Sequence, residues 1–370
     1  MFEETRPYCD HEVPAAIARV AHDPRFAIIV GYLFPGANVE QYRQQFLQIK
    51  TVDEFQHQVM LKAINSIVDQ TATSLTCDGF NLIDNDHRYT FIANHRDILL
   101  DAAILQILLD KHHLRTSEIT FGSNLMKGEL VIDIGKLNKM FRIMRGGTAR
   151  DFYRYSLEVS SYMRHAITGK GESTWIAQRN GRTKNGDDKT DPAVLKMFSI
   201  SSDKDFVNNL LELNITPVAV SYEYEPCDFK KTQELYISQY QQYIKEDDED
   251  LQSILLGITQ PKGRIHMEMT APITREELEI CNQQEKKNKF IHLAQLIDQR
   301  IYHSYHLWPT HFIAHDLLNE APTFRDRYTD EERNTFIIYM NEGLSRLQGD
   351  ASELQQIFLS IYANPVEHCL

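Results

Sequence analysis

Between residues 88 and 273, short apolar runs of β type alternate with helical segments, and this limits the possible folds more than any other feature of the chain. The runs are YTFIAN (89–94), EITFGS (118–123), FRIMR (141–145), STWIAQ (173–178), ITPVAVSYEY (215–224) and RIHMEM (264–269). Strands this continuously apolar belong to a sheet buried on both faces, which requires helices on each side. Pro217 is expected to break pairing at the start of its strand. Residues 12–72, and those beyond about 274, instead place apolar side chains at steps of three and four, the period of a helix with one buried face. The expected fold is therefore α/β: a mixed sheet covered by helices, with helical N-terminal and C-terminal extensions. The expected regions are an N-terminal helical region (1–87), an α/β core (88–273) and a C-terminal helical region (274–370).

Composition removes several function classes. With 42% hydrophobic and 25% charged residues over 370 positions, the chain can bury a sizeable core. Its formal net charge of −13 argues against a nucleic-acid partner, so an anionic ligand needs local cations to hold it. Five cysteines without a CxxC pair point to a reducing compartment, and the acidic N-terminus lacks the apolar stretch of a signal peptide. FAIIVGYLF (26–34) and ILLDAAILQILL (98–109) are too short to span a bilayer. The expected location is cytoplasmic, with peripheral contact at the inner face of the cell membrane left open. KEDDEDLQ (245–252) reads as a solvated surface stretch.

Three segments carry candidate chemistry. IANHRDILLDAAIL (92–105) places His95, Arg96, Asp97 and Asp101 where a buried strand becomes a buried helix. A histidine at the carboxyl end of a strand can take a proton from a hydroxyl if a carboxylate fixes its tautomer, and both aspartates are within reach along the chain. Helix capping by the same residues is the alternative reading. IDIGKLNKMFRIMRGGT (132–148) ends a strand-like run in Arg145 and two glycines, a fork for phosphate beside backbone that approaches closely. STWIAQRNGRTKNGDDKT (173–190) repeats that plan, with Arg179, Gly181, Arg182 and Lys184 in a loop after a buried strand.

The order of these segments resembles the glycerolipid acyltransferase family, with its NHxxxxD block, a GxxxxxR-type block, an EGTRS-type block and a final VPV-type strand. The match covers about residues 88–225 and is nearest the glycerol-3-phosphate branch, where arginine follows the histidine. The resemblance implies His95 as general base, an aspartate that orients it, and Arg96, Arg145, Arg179, Gly181, Arg182 and Lys184 around the acceptor. It implies acyl-CoA or acyl carrier protein as donor, a phosphorylated glycerol or lysolipid as acceptor, and neither metal nor cofactor. The family aspartate stands five residues after its histidine. Here Leu100 holds that place, so Asp101 is preferred, with one extra residue in the turn, and Asp97 remains open. Asn180 or Arg179 occupies the place of the family's glutamate. Two other readings stay open: a non-catalytic lipid- or phosphate-binding homologue, and an O-acyltransferase for an amino-acid lipid. His311 and His315, spaced i, i+4 without an HExxH glutamate, read as structural or surface residues.

Overall fold

The computed structural model describes residues 2–370 except Met126, Arg145 and Asp247. Its centre is a seven-stranded mixed sheet: β1 (Ala72–Asp78), β2 (Thr90–Ala93), β3 (Ser117–Gly122), β4 (Met140–Ile143), β5 (Ser173–Ala177), β6 (Ile215–Tyr222) and β7 (Gly263–Met269). The strand order is β1-β7-β6-β2-β5-β3-β4. From β6 to β4 neighbouring strands run parallel, whereas β7 is antiparallel to β6 and β1 parallel to β7.

Successive side chains of a strand point to opposite faces, and the core divides accordingly. Phe91 and Ala93 of β2 join Trp175, Val218, Val220 and Tyr222 beneath the helices Leu61–Thr71 and Leu100–Lys111. Ile92, Ile176, Ile215 and Ala219 join Val159, Leu195, Phe198 and Ile297 on the other face, from the helices Ala149–His165, Pro192–Ser199 and Lys289–Ser304. Two further apolar clusters hold the N-terminal helices together, and the C-terminal helices against the helix Asp228–Tyr240. The mixed sheet, its helical covering and the helical extensions are those expected from the sequence.

Two details differ. β1 falls within the expected N-terminal helical region (1–87), because ATSLTCD is a half-exposed edge strand with no apolar run to announce it. Pro217 does not end pairing: it stands in register with Ile92 of β2, and the ladder to β7 begins one residue later at Val218. KEDDEDLQ lies at the surface, as read, with its described residues exposed or half-buried. Asp250 accepts from Asn124 Nδ2 at 3.0 Å and pairs with Lys245 at 2.7 Å, at the start of the helix Glu249–Thr259. FAIIVGYLF forms the helix Phe26–Leu33, which buries Phe26 and Val30 and leaves Ile28 and Tyr32 exposed. No helix among the described residues is long and apolar enough to cross a membrane.

Candidate active site

Because β2, β5 and β6 run parallel side by side, the loops that follow them lie at one edge of the sheet, where α/β folds gather ligands. Asn94, fully buried just beyond β2, ties this edge together. Its amide donates to Val220 O (2.9 Å) and Asp188 Oδ2 (3.1 Å), and its Oδ1 accepts from Val220 N (2.8 Å). Thr183 N donates to His95 O at 2.7 Å, which joins the loop after β5 directly to the histidine segment.

His95 Nδ1 lies 2.8 Å from Asp101 Oδ2. The same oxygen accepts the backbone N–H groups of Arg96 (2.6 Å) and Asp97 (2.9 Å), while Asp101 Oδ1 accepts the Tyr222 hydroxyl at 2.7 Å. An ionised carboxylate can only accept, so neutral His95 carries its proton on Nδ1 and presents a lone pair at Nε2. Nε2 has no hydrogen-bond partner among the described residues, and the side chain keeps 13% exposure. The Trp175 ring meets the imidazole edge-on at 5.6 Å. The result is an imidazole with one nitrogen held by a buried carboxylate and the other without a hydrogen-bond partner among the described residues.

Asp97 has a different task. Its Oδ1 accepts the amides of Leu99 and Leu100, each at 2.8 Å, and so closes the turn that opens the helix Leu100–Lys111. Burial first, and then the charge of Asp101, raise its carboxyl above the ordinary value. Gly257 packs so tightly against it that a Cβ there would stand 2.2 Å from Asp97 Oδ2. Asp101 is thus the partner of His95, and Asp97 the cap.

Arg96 departs most from its expected role. It is 1% exposed, and its guanidinium donates to Asp188 Oδ2 (2.7 and 3.0 Å) and Glu225 Oε2 (3.1 Å). Lys231 completes the group by donating to Glu225 Oε1 (2.5 Å) and Arg96 O (2.8 Å). Two cations and two carboxylates neutralise one another inside the protein, so Arg96 is a strut and is not available to a ligand.

Arg179, Arg182 and Lys184 line a cavity of about 480 Å³, together with Gly181, Lys189 and Lys245. Gly181 turns the chain there with φ 77°, a conformation that disfavours a side chain. Lys184 pairs with Glu234, Lys189 with Asp187 and Lys245 with Asp250. Neither Arg179 nor Arg182 forms an ion pair among the described residues, and Arg182 Nη1 is buried without a hydrogen-bond partner. The His95 ring is not part of this lining, although its loop adjoins it. Arg145 lies outside the described residues.

The final helix, Ala351–Cys369, braces the cavity loop from behind. Asn364 Nδ2 donates to Asn185 O (2.7 Å), His368 Nε2 lies 2.8 Å from Asp187 Oδ1, and the Ile361 carbonyl abuts the Cα of Gly186. Tyr222, Asn94, Asp188, Glu225 and Lys231 were not foreseen from the sequence. For Tyr222 the sequence offered only a hydroxyl near the carboxyl end of an apolar run; its place beside the histidine strand comes from the pairing of β6 with β2. His311 and His315 are structural: the His311 ring accepts the Trp308 amide at 2.8 Å, and His315 Nε2 lies 2.9 Å from Glu367.

No family model matches the chain. No curated protein matches it. Among solved structures it is similar to the crystal structure of PlsC, the 1-acyl-sn-glycerophosphate (LPA) acyltransferase from Thermotoga maritima. The TM-score is 0.39 and the identity 11%, over 79% of this chain and 95% of that one. The functional reading below rests on this chain's own residues.

Proposed function

We propose that the protein is an O-acyltransferase. It moves a fatty acyl group from the thioester of coenzyme A or acyl carrier protein to a hydroxyl of glycerol 3-phosphate, lysophosphatidate or a related lipid precursor, in the cytoplasm beside the membrane. The observation that carries this reading is the His95–Asp101 pair at 2.8 Å, with Nε2 free of hydrogen bonds among the described residues, next to a cavity lined by Arg179 and Arg182, neither of which forms an ion pair among the described residues. The block order noted in the sequence supports the same reading.

In this mechanism His95 Nε2 takes the acceptor's hydroxyl proton as the oxygen bonds to the thioester carbonyl carbon. Asp101 steadies the imidazolium that forms. The tetrahedral intermediate then collapses, the C–S bond breaks, and the departing thiolate takes the proton back from Nε2. A thioester is already activated, so positioning and one base account for the chemistry the protein must add. Arg179 and Arg182 would hold the acceptor's phosphate by charge-assisted bonds, and Arg145 is assigned to the same task from the sequence.

The test is thiol release and acyl transfer by purified protein offered long-chain acyl-CoA, or acyl carrier protein, with each acceptor in turn. Transfer that is lost in His95→Ala, whose fold is intact by circular dichroism, is the expected result. Thiol release in the absence of acceptor, or equal rates in His95→Ala, would overturn it.

A further inference from the structure

We propose that Tyr222 is a positioning residue of this reaction, holding Asp101 in the orientation that makes His95 a base. The inference rests on the acyltransferase reading. Asp101 is 1% exposed, and a carboxylate removed from water needs donors on both oxygens. Its Oδ2 has three, from Arg96 N, Asp97 N and His95 Nδ1, whereas Oδ1 has only the Tyr222 hydroxyl among the described residues.

That single bond does two things. It fixes the rotation of the carboxyl group, so that Oδ2 stays directed at the imidazole. It also disperses negative charge next to a second buried carboxyl, Asp97. Tyr222 is itself fully buried at the end of β6, on a strand that pairs with the histidine strand, so the hydroxyl is placed by the sheet and not by a mobile loop. Burial, with the charges of Asp101, Asp97 and Glu225, keeps the phenol protonated well above its ordinary range, so it remains a donor throughout any working pH. No other hydrogen bond occupies the hydroxyl among the described residues.

Tyr222→Phe removes one oxygen and keeps the ring. We expect kcat to fall about tenfold, with KM unchanged for donor and acceptor. The acid limb of the pH–rate profile should move to higher pH, because a carboxylate that loses a donor holds protons more tightly, its own or that on the imidazolium. A purely structural role would lower the melting temperature without moving that limb. Replacing Tyr222 by 4-aminophenylalanine, which keeps a donor at the same place, should restore most of the rate. If Tyr222→Phe does not fold, the amino variant alone still decides, since its weaker donor should shift the limb in the same direction. Wild-type kcat with an unmoved limb, or an amino variant as slow as Tyr222→Phe, would overturn the proposal and leave the acyltransferase reading standing. If the wild type transfers no acyl group, the acyltransferase reading fails. The Tyr222 linkage is then judged by NMR titration of the His95 imidazole, where Tyr222→Phe should raise the midpoint and an unchanged midpoint would refute it.

Discussion

Asp101 lies six residues beyond His95, and the backbone between them folds around its carboxylate: one oxygen accepts the Arg96 and Asp97 amides and meets the imidazole at 2.8 Å. The extra residue in the turn is therefore built into the pairing, and this separates the roles of the two aspartates.

Asp101→Asn should lower turnover by a factor on the order of 10²–10³, close to His95→Ala, because loss of a base or its partner typically costs about 10²–10⁴. Asp97→Ala should act mainly on stability, by about 1 kcal/mol for the lost cap. Steady-state kinetics beside urea denaturation separates the two, and the reverse ranking would return Asp97 to the imidazole.

Arg96→Ala leaves the buried Asp188 without its cation and Glu225 with Lys231 alone, so it should cost about 3–5 kcal/mol of stability. Residual activity at low temperature should show an unchanged KM for acceptor. A raised KM in a stable variant would return Arg96 to the binding site.

Arg182→Ala and Arg179→Ala should raise KM for a phosphorylated acceptor roughly tenfold and leave KM for the thioester alone, as charge-assisted bonds are worth about 1.5–3 kcal/mol. Arg182→Lys should rescue poorly, because a point charge does not replace a planar fork. Equal use of a phosphate-free acceptor by the wild type would assign the cavity to another anion.

Gly257→Ala should impair stability. The new methyl meets Asp97 Oδ2 at 2.2 Å, and that carboxyl is clamped by two amides and cannot swing away. We expect a loss of about 1–3 kcal/mol by chemical denaturation.

His311 sets a pH limit on the fold. Burial first, and then the nearby Arg96 charge, push its pKa from 6.5 down to about 3. Between those values the unfolded chain binds a proton that the folded chain refuses, so His311 makes stability fall as pH drops from 6.5 toward 3. His311→Gln should flatten that part of the stability curve relative to wild type. Parallel curves would show that the ring protonates freely.

Much of this site was legible before the structure because strand and loop chemistry is local. Apolar runs announced β2, β5 and β6, and the junction after β2 displayed its histidine and two carboxylates. What was hidden is non-local. Arg96 looks like its neighbours in the loop until Asp188 and Glu225 arrive from distant segments and turn it inward. Tyr222 becomes significant only once β6 is seen to pair with β2. β1 gave no apolar signal because an edge strand shares its faces with solvent.

The brace supplied by the last helix has a consequence for the order of events during synthesis. Asn364 reaches back across 179 residues to the carbonyl of Asn185, and His368 across 181 to Asp187. A nascent chain that has already completed β5 still lacks these supports until residues 351–369 leave the ribosome, and contacts so distant in sequence form late. The cationic loop thus gains these supports only once the helix Ala351–Cys369 has docked, later than the pairing of the strand that precedes it.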